Sequence, residues 1–215
     1  MTTRLDLRLT LRRRLSDTAT NPLWEDDFLN DAIAEAIRRY STSVPRQAVA
    51  EVTVVAGTRE IDLPPTINAM RIVQVFDDRG APWRRWEERS DPPPAPTGFA
   101  ELPAVWRAWG TSVILGTAAP RTGTWRLEHY ANRTEPEDDV LDLDISLGDE
   151  TLVIALALAV ALHRRAVAEG KRYNGRSGVH PIAAAARTAQ SDADRLLWRR
   201  FRDVRSGTLT NSMTS

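Results

Sequence analysis

Thr151–His163 reads TLVIALALAVALH, and its reading decides how the rest of the chain folds. It carries no acidic or basic Asp, Glu, Lys or Arg, and alanines at 155, 157, 159 and 161 lie between leucines and valines. A helix that is apolar nearly all round has to be covered by other elements. The run is shorter than the roughly 20 residues that span a bilayer, so its cover is expected to come from helices of the same chain, and no membrane is expected as a partner. Ser146 and Asp149 stand ahead of it at capping-box spacing, which predicts a helix over 152–168. The segment KRYNGRSGVH (171–180) breaks that helix. Pro181 then starts another, running to about Val204, with Ala185, Ala189, Ala193, Leu196 or Leu197, and Phe201 as its inner stripe.

The cover is found at the other end of the sequence. In NPLWEDDFLNDAIAEAIRRY (21–40), Leu29, Ile33, Ala36, Ile37 and Tyr40 fall on one helical face. Glu25, Asp26 and Asp27 occupy the first turn and Arg38 and Arg39 the last, as the helix dipole prefers. Trp24 is placed to pack back on the first turn. Residues 4–15 fit two periods. Leu5, Leu7, Leu9 and Leu11 alternate like a strand, while Leu7, Leu11 and Leu15 repeat like a helix. Thr3 with Asp6 forms a capping box and favours the helix.

Between these helices the pattern turns to β. Glu51–Ala56 and Arg59–Leu63 alternate around Gly57-Thr58, which predicts a hairpin with Val52, Val54, Ile61 and Leu63 inward. Met70–Phe76 is a further strand, followed by the turn Asp77–Gly80 and a returning Pro82–Trp86. SDPPPAPTG (90–98) is a rigid extended loop. Val105–Trp109, Ser112–Leu115 and Thr124–Ala131 are three more strands. Runs of one element type favour α+β over alternating α/β. The expected fold is therefore a four-helix bundle built from N- and C-terminal helices with a β-rich insert. Its parts are an N-terminal helical pair (1–47), the insert (48–145), a C-terminal helical pair (146–206) and an extended tail (207–215).

The chain has 215 residues, with Lys+Arg and Asp+Glu both 29. Zero formal charge is unlike a strongly basic nucleic-acid binder and is compatible with self-association. Lys171 is the single lysine; the other cations are arginine, whose planar fork suits multi-contact interfaces. No cysteine is present, which excludes disulfides and thiolate metal sites. MTTRLDLRLTLRRR lacks the unbroken apolar core of a secretion signal, so Asn132-Arg-Thr134 carries no glycosylation expectation despite its pattern.

No catalytic set emerges. His129, His163 and His180 are dispersed, and no serine sits in a Gly-x-Ser-x-Gly elbow. Asp142 and Asp144 alternate with Leu141, Leu143 and Ile145, as solvated acids on an extended segment do. No catalytic, metal or cofactor residue is assigned, and no cofactor is expected. Lys171, Arg172 and Arg176, in a loop with two glycines, are suited to meet DNA phosphates. Seven tryptophans exceed what one small core needs. Trp83, Trp86, Trp106 and Trp109, with Arg199 and Arg200, are the candidate subunit-interface residues. The last residues, SGTLTNSMTS, are too polar to order alone, and Thr208, Leu209, Thr210, Asn211 and Met213 are candidates for docking on a partner.

In order along the chain, LRRRLSDTATN, LWEDDFLNDAIAEAIRRY, AGTREIDLPPTINAMRIVQVF, VWRAWGTSVILGTAAPRTGTWRLEHYANR and DISLGDETLVIALALAVAL resemble the head-to-tail adaptor (connector) proteins of tailed bacteriophages. The segment SDPPPAP and the alanine content of the last helices depart from that pattern. The resemblance implies a structural protein without an active site. It implies a ring, commonly of twelve subunits, beneath the portal protein at the virion neck, assembled in the host cytoplasm. A downstream tail or nozzle protein would bind below, and double-stranded DNA would pass through non-specifically. Two other readings stand beside it. One is a DNA-binding regulatory protein using the arginine-rich first helix, and the other a metal-dependent hydrolase using Asp142, Asp144 and His129.

Overall fold

The structure is a computed structural model that describes residues 2–20, 22–86, 104–135, 137–172 and 181–211, with the side chains of 171–172 and 203–211 outside the description. It divides into two compact units, residues 1–45 with 132–215, and residues 46–131. Each has its own buried core.

The first unit holds four helices: α1 (Arg4–Arg14), α2 (Asp26–Ser43), α3 (Glu150–Arg172) and α4 (Pro181–Asn211). The Thr3–Asp6 capping box forms, and Leu7 and Leu11 are buried while Leu5 and Leu9 stay exposed, which settles residues 4–15 as helix. α1 ends in a Schellman motif: Asp17 N–H donates to the Arg12 carbonyl (2.9 Å) and Ser16 N–H to that of Arg13 (3.2 Å). Ser16 occupies the left-handed position, φ 56°. In α2 the expected stripe of Leu29, Ile33, Ala36, Ile37 and Tyr40 is fully buried. Trp24 packs on Phe28, ring centroids 5.4 Å apart. The helix continues past Arg38 and Arg39 to Ser43.

α3 is the hub. Leu152–Ala157 and Ala159–Ala161 are buried, and α1, α2 and α4 all pack on it. By length and composition Glu150–Gly170 would also suffice to cross a membrane; in this fold it is the central core helix. α2 and α4 meet little, chiefly where Arg39 donates to Gln190 (3.2 Å) and Asp194 (3.1 Å). α4 runs past the expected stop near Val204, so Thr208–Asn211 lie in its helical backbone rather than in an extended tail. Its inner stripe is also rotated at the start, with Ala186 buried and Ala185 exposed.

The second unit is one seven-stranded sheet: β1 (Arg46–Val54), β2 (Glu60–Asp62), β3 (Ile72–Phe76), β4 (Pro82–Arg85), β5 (Val105–Trp109), β6 (Ser112–Leu115) and β7 (Gly123–Ala131). The order is β1-β7-β3-β4-β5-β6-β2, antiparallel except for the parallel pair β4–β5. The returning strand β4 pairs with β3 as expected, Val75 opposite Trp83. The hairpin across Gly57-Thr58 does not form. β1 pairs along its whole length with β7, and β2 pairs with β6, so consecutive strands lie on opposite edges. Six inter-strand steps of about 4.8 Å would hold flat edges roughly 29 Å apart, yet the link 55–59 spans at most about 20 Å. The sheet therefore curls into a half-barrel. Gly57, at φ 84°, turns the link, and its N–H donates to the Ala119 carbonyl (2.9 Å).

The expectation of a four-helix bundle with a β-rich insert is thus corrected. The molecule has four helices and a curled, mixed seven-stranded sheet. The helices gather around α3 instead of packing as equal partners, because its small alanines leave no polar side and admit neighbours all round. The β region is not a set of hairpin arms, because its valines, isoleucines and tryptophans suffice for a core of their own.

Gly123 opens β7 under the turn that joins β3 and β4. A Cβ there would lie 2.6 Å from the Asp78 Cβ, and the Asp78 carboxylate is held by Arg121 at 3.2 Å. Gly123→Ala is expected to destabilise by about 1–3 kcal/mol, the usual penalty for overpacking, seen as a lower urea midpoint.

Candidate interaction surfaces

Three of the five arginines of α1 turn inward, while Arg13 and Arg14 stay exposed. Arg8 donates to Asp139 (3.1 and 2.7 Å) and to Asn30 (2.9 Å), and Arg4 joins it on Asp139 at 2.7 Å. These bonds, Arg8 first, hold the Asp139 carboxyl below its ordinary pKa. Arg12 donates to Asp17 (2.6 Å), Asp26 (2.6 Å) and the Trp24 carbonyl (2.7 Å). The buried Asp17 also accepts from the N–H groups of Leu23 (2.6 Å) and Trp24 (3.2 Å). LRRRLSDTATN is thus a corner that fixes the approach to α2. With Arg4, Arg8 and Arg12 engaged this way, the cationic surface of α1 is reduced to Arg13 and Arg14.

A second polar cluster joins the end of α2 to the start of α3. Arg133 donates to the Val44 carbonyl (2.7 Å), to the carbonyl (3.1 Å) and carboxylate (3.2 Å) of Asp144, and to Ser146 Oγ (2.9 Å). Its guanidinium lies 4.8 Å from the Tyr40 ring centroid. The Tyr40 hydroxyl donates to Asp149 Oδ2 (2.6 Å) and accepts from Ser146 N–H (3.2 Å). Arg200 Nε donates to the same Asp149 oxygen at 2.8 Å. The expected Ser146–Asp149 capping box is therefore replaced, since both side chains are engaged by Arg133, Tyr40 and Arg200. Arg200, expected at a subunit interface, is an internal tie between α4 and the head of α3.

Burial, and then the bond to Asp149, push the Tyr40 phenol above its ordinary pKa of 10.0. A pKa raised on folding favours the neutral form. The stability it contributes is complete below about pH 10 and is lost as pH rises through the higher folded value. Tyr40→Phe is expected to cost about 1–3 kcal/mol at neutral pH, through the bonds lost at a buried carboxylate. It should also flatten the alkaline fall in stability, measured by urea unfolding at neutral and alkaline pH.

The acids and histidines once weighed for chemistry are separated or spent. Asp144 is held by Arg133 and by Thr134 N–H (3.3 Å), and Asp142 makes an isolated strand bridge with Thr3. His129 belongs to the sheet unit, buried on β7 with Nδ1 unpartnered. His163 is exposed beside an open recess of about 670 Å³ between α3 and α4, also lined by Arg187, Gln190 and Asp194. Among the described residues no three His, Asp or Glu side chains gather as metal ligands. His180 and Arg176 lie outside the described residues, as do SDPPPAPTG, Met213 and the side chains of Lys171, Arg172, Thr208, Leu209, Thr210 and Asn211.

The tryptophans divide between core and surface. Trp83, Trp106 and Trp125 are buried in the sheet unit, Trp106 Nε1 donating to the Trp83 carbonyl at 3.1 Å. Trp83 and Trp125 pack at a tilt of 50°, centroids 4.8 Å apart. Two of the tryptophans expected at an interface, Trp83 and Trp106, are thus core residues. Trp86 and Trp109 flank Arg107, whose guanidinium lies 5.1 and 5.2 Å from their rings. Trp109 is 62% exposed, so this stack faces outward. On α4, Arg199 is exposed, as is Trp198, which sequence reasoning did not single out as an interface residue.

Exposed tryptophans stand beside arginines on β5 and on α4, and Asp17, Asp139, Asp144 and Asp149 are each held by arginines. Comparison with curated proteins finds no match. A family model for the SU10 adaptor protein matches residues 2–212, which spans both units. The chain therefore belongs to the SU10 adaptor protein family, whose members are structural adaptors of phage particles.

Proposed function

We propose that this protein is the head-to-tail adaptor of a tailed phage, forming a closed ring of twelve copies between the portal protein above and a tail or nozzle protein below, with double-stranded DNA passing through the bore. The observation that carries the reading is the family match from residue 2 to residue 212. The balanced charge supports it, because a strongly cationic bore would retain phosphates through counterion release. Lys171, Arg172 and Arg176 are the residues proposed to face the DNA. The outward stack of Trp86, Arg107 and Trp109 and the exposed Arg199 are proposed contact surfaces, being of the residue types that anchor interfaces. The inward bonding of Arg4, Arg8 and Arg12, which leaves Arg13 and Arg14 as the exposed cations of α1, argues against a DNA-binding regulator.

Thr208–Ser215 is proposed to dock on the portal, with Leu209 and Met213 as apolar anchors in a groove or along a sheet edge. Truncation after Gly207 tests this by co-sedimentation with portal rings. The truncated protein is expected to keep its helical signal and to lose portal binding. Binding equal to that of the full chain would remove the docking role while leaving the ring untouched.

A further inference from the structure

The start of α2 and the outer face of α4 carry complementary surfaces that cannot meet within one chain. Leu23, immediately before α2, is 64% exposed, and Glu25 and Asp27 beside it are exposed too. Neither carboxylate has an ion-pair partner among the described residues. Leu23 is thus an apolar contact point with these two carboxylates close by in sequence. The exposed face of α4 has the opposite character. Trp198 is 66% exposed and meets Phe201 edge-on, centroids 5.8 Å apart. Arg195 and Arg199, one turn behind it and next to it, are exposed. Arg195 holds Asp192 at 2.7 Å, but both side chains lie in solvent, where such a pair exchanges readily.

Geometry separates the two. Trp198, Leu197 and Phe201 share a shallow recess of about 260 Å³ with Ser43, the last residue of α2. Glu25 precedes the first residue of α2. An 18-residue helix is about 27 Å long, so the aromatic–cationic surface and the acidic one stand at opposite ends of α2. The chain has no net charge, yet the exposed Glu25 and Asp27 near Leu23 and the exposed Arg195 and Arg199 near Trp198 are of opposite sign. Unlike patches at opposite ends make a heterologous contact when copies meet, and such contacts close into rings or continue as filaments.

We infer that the α4 face of Arg195, Trp198 and Arg199 is a docking surface for a second copy of this chain, which it meets at Leu23, Glu25 and Asp27. The indole supplies the desolvated anchor against Leu23, and the arginines meet the carboxylates at the rim, where charge sets register and association rate. The inference rests on the ring proposed above and names one of its contacts.

Sedimentation velocity over a concentration series tests it with full-length chains. Arg195→Glu with Arg199→Glu should weaken self-association at least about tenfold, a modest change for lost charge complementarity. Glu25→Arg with Asp27→Arg should do the same, and circular dichroism should show both chains folded. Mixed together, the two reversed chains should associate again, since each then offers the other a complementary end. Trp198→Ala should weaken association without a compensating partner. If the wild-type chain assembles and the reversed chains assemble equally well, or the mixture shows no recovery, this surface is wrong and the ring reading stands. A wild-type chain that remains monomeric both alone and when mixed with portal rings overturns both.

Discussion

Arg133→Ala is expected to lower the unfolding free energy by about 3–5 kcal/mol, the cost of breaking a buried ion pair by removing one partner. The Arg133 side chain is only 7% exposed. It satisfies the Val44 carbonyl at the end of α2, both the carbonyl and carboxylate of Asp144, and the Ser146 hydroxyl just before α3. Truncation leaves those acceptors without their donor and strips the Tyr40 ring of its stacked cation. Arg133→Lys should recover only part of the loss, because an ammonium cannot reproduce the planar fork that reaches four acceptors on three residues at once. Far-ultraviolet circular dichroism during urea unfolding reads the change directly, since the residue sits in the helical unit. A loss below about 1 kcal/mol, the level of an exposed pair, would show that the cluster does not hold the helices together.

Trp106→Ala should be comparably damaging to the sheet unit, at about 3–5 kcal/mol. The indole is fully buried, between Leu115 on β6 and Arg85 on β4, and its N–H holds the Trp83 carbonyl. Removing it opens a cavity and leaves that carbonyl with only the Gln74 side-chain amide as donor, at 2.7 Å. Trp109→Ala is the control three residues away. It removes a 62% exposed ring and one cation–π contact to Arg107, so its cost to folding should stay below about 1 kcal/mol. Intrinsic fluorescence during urea unfolding distinguishes the two. Equal effects would mean that the face assignment of β5 is wrong.

That contrast shows what the sequence made legible. Trp106 and Trp109 are three residues apart in a strand, and a period of two puts them on opposite faces. The parity was readable in VWRAW, although counting tryptophans alone placed both at an interface. The stripe of α2 and the central role of α3 were readable because a helix exposes its own pattern at short range. Strand pairing was not. Alternation in 51–56 and 59–63 specifies which side chains face inward, but β1 finds β7 about 75 residues later by filling a shared core, and local turn signals say nothing of that. The polar ties were hidden for a similar reason. Arg133 lies in Asn132-Arg-Thr134, where attention falls on a modification pattern, and Arg200 is one of five arginines between 195 and 205. Their partners, Asp144 and Asp149, are ordinary acids until the fold brings them together. Membership of the adaptor family was readable from the order of its weak motifs, and the match over residues 2–212 bears it out.

The central claim is that this chain works as one subunit of a ring assembled with a portal. Native mass spectrometry of the 24.0 kDa protein, alone and after mixing with portal rings, tests it most directly. The expected result is a discrete portal complex heavier by a fixed multiple of the chain mass, twelve copies on the proposed reading, that does not change when more protein is added. Portal rings that keep their own mass beside a monomeric adaptor would contradict the account.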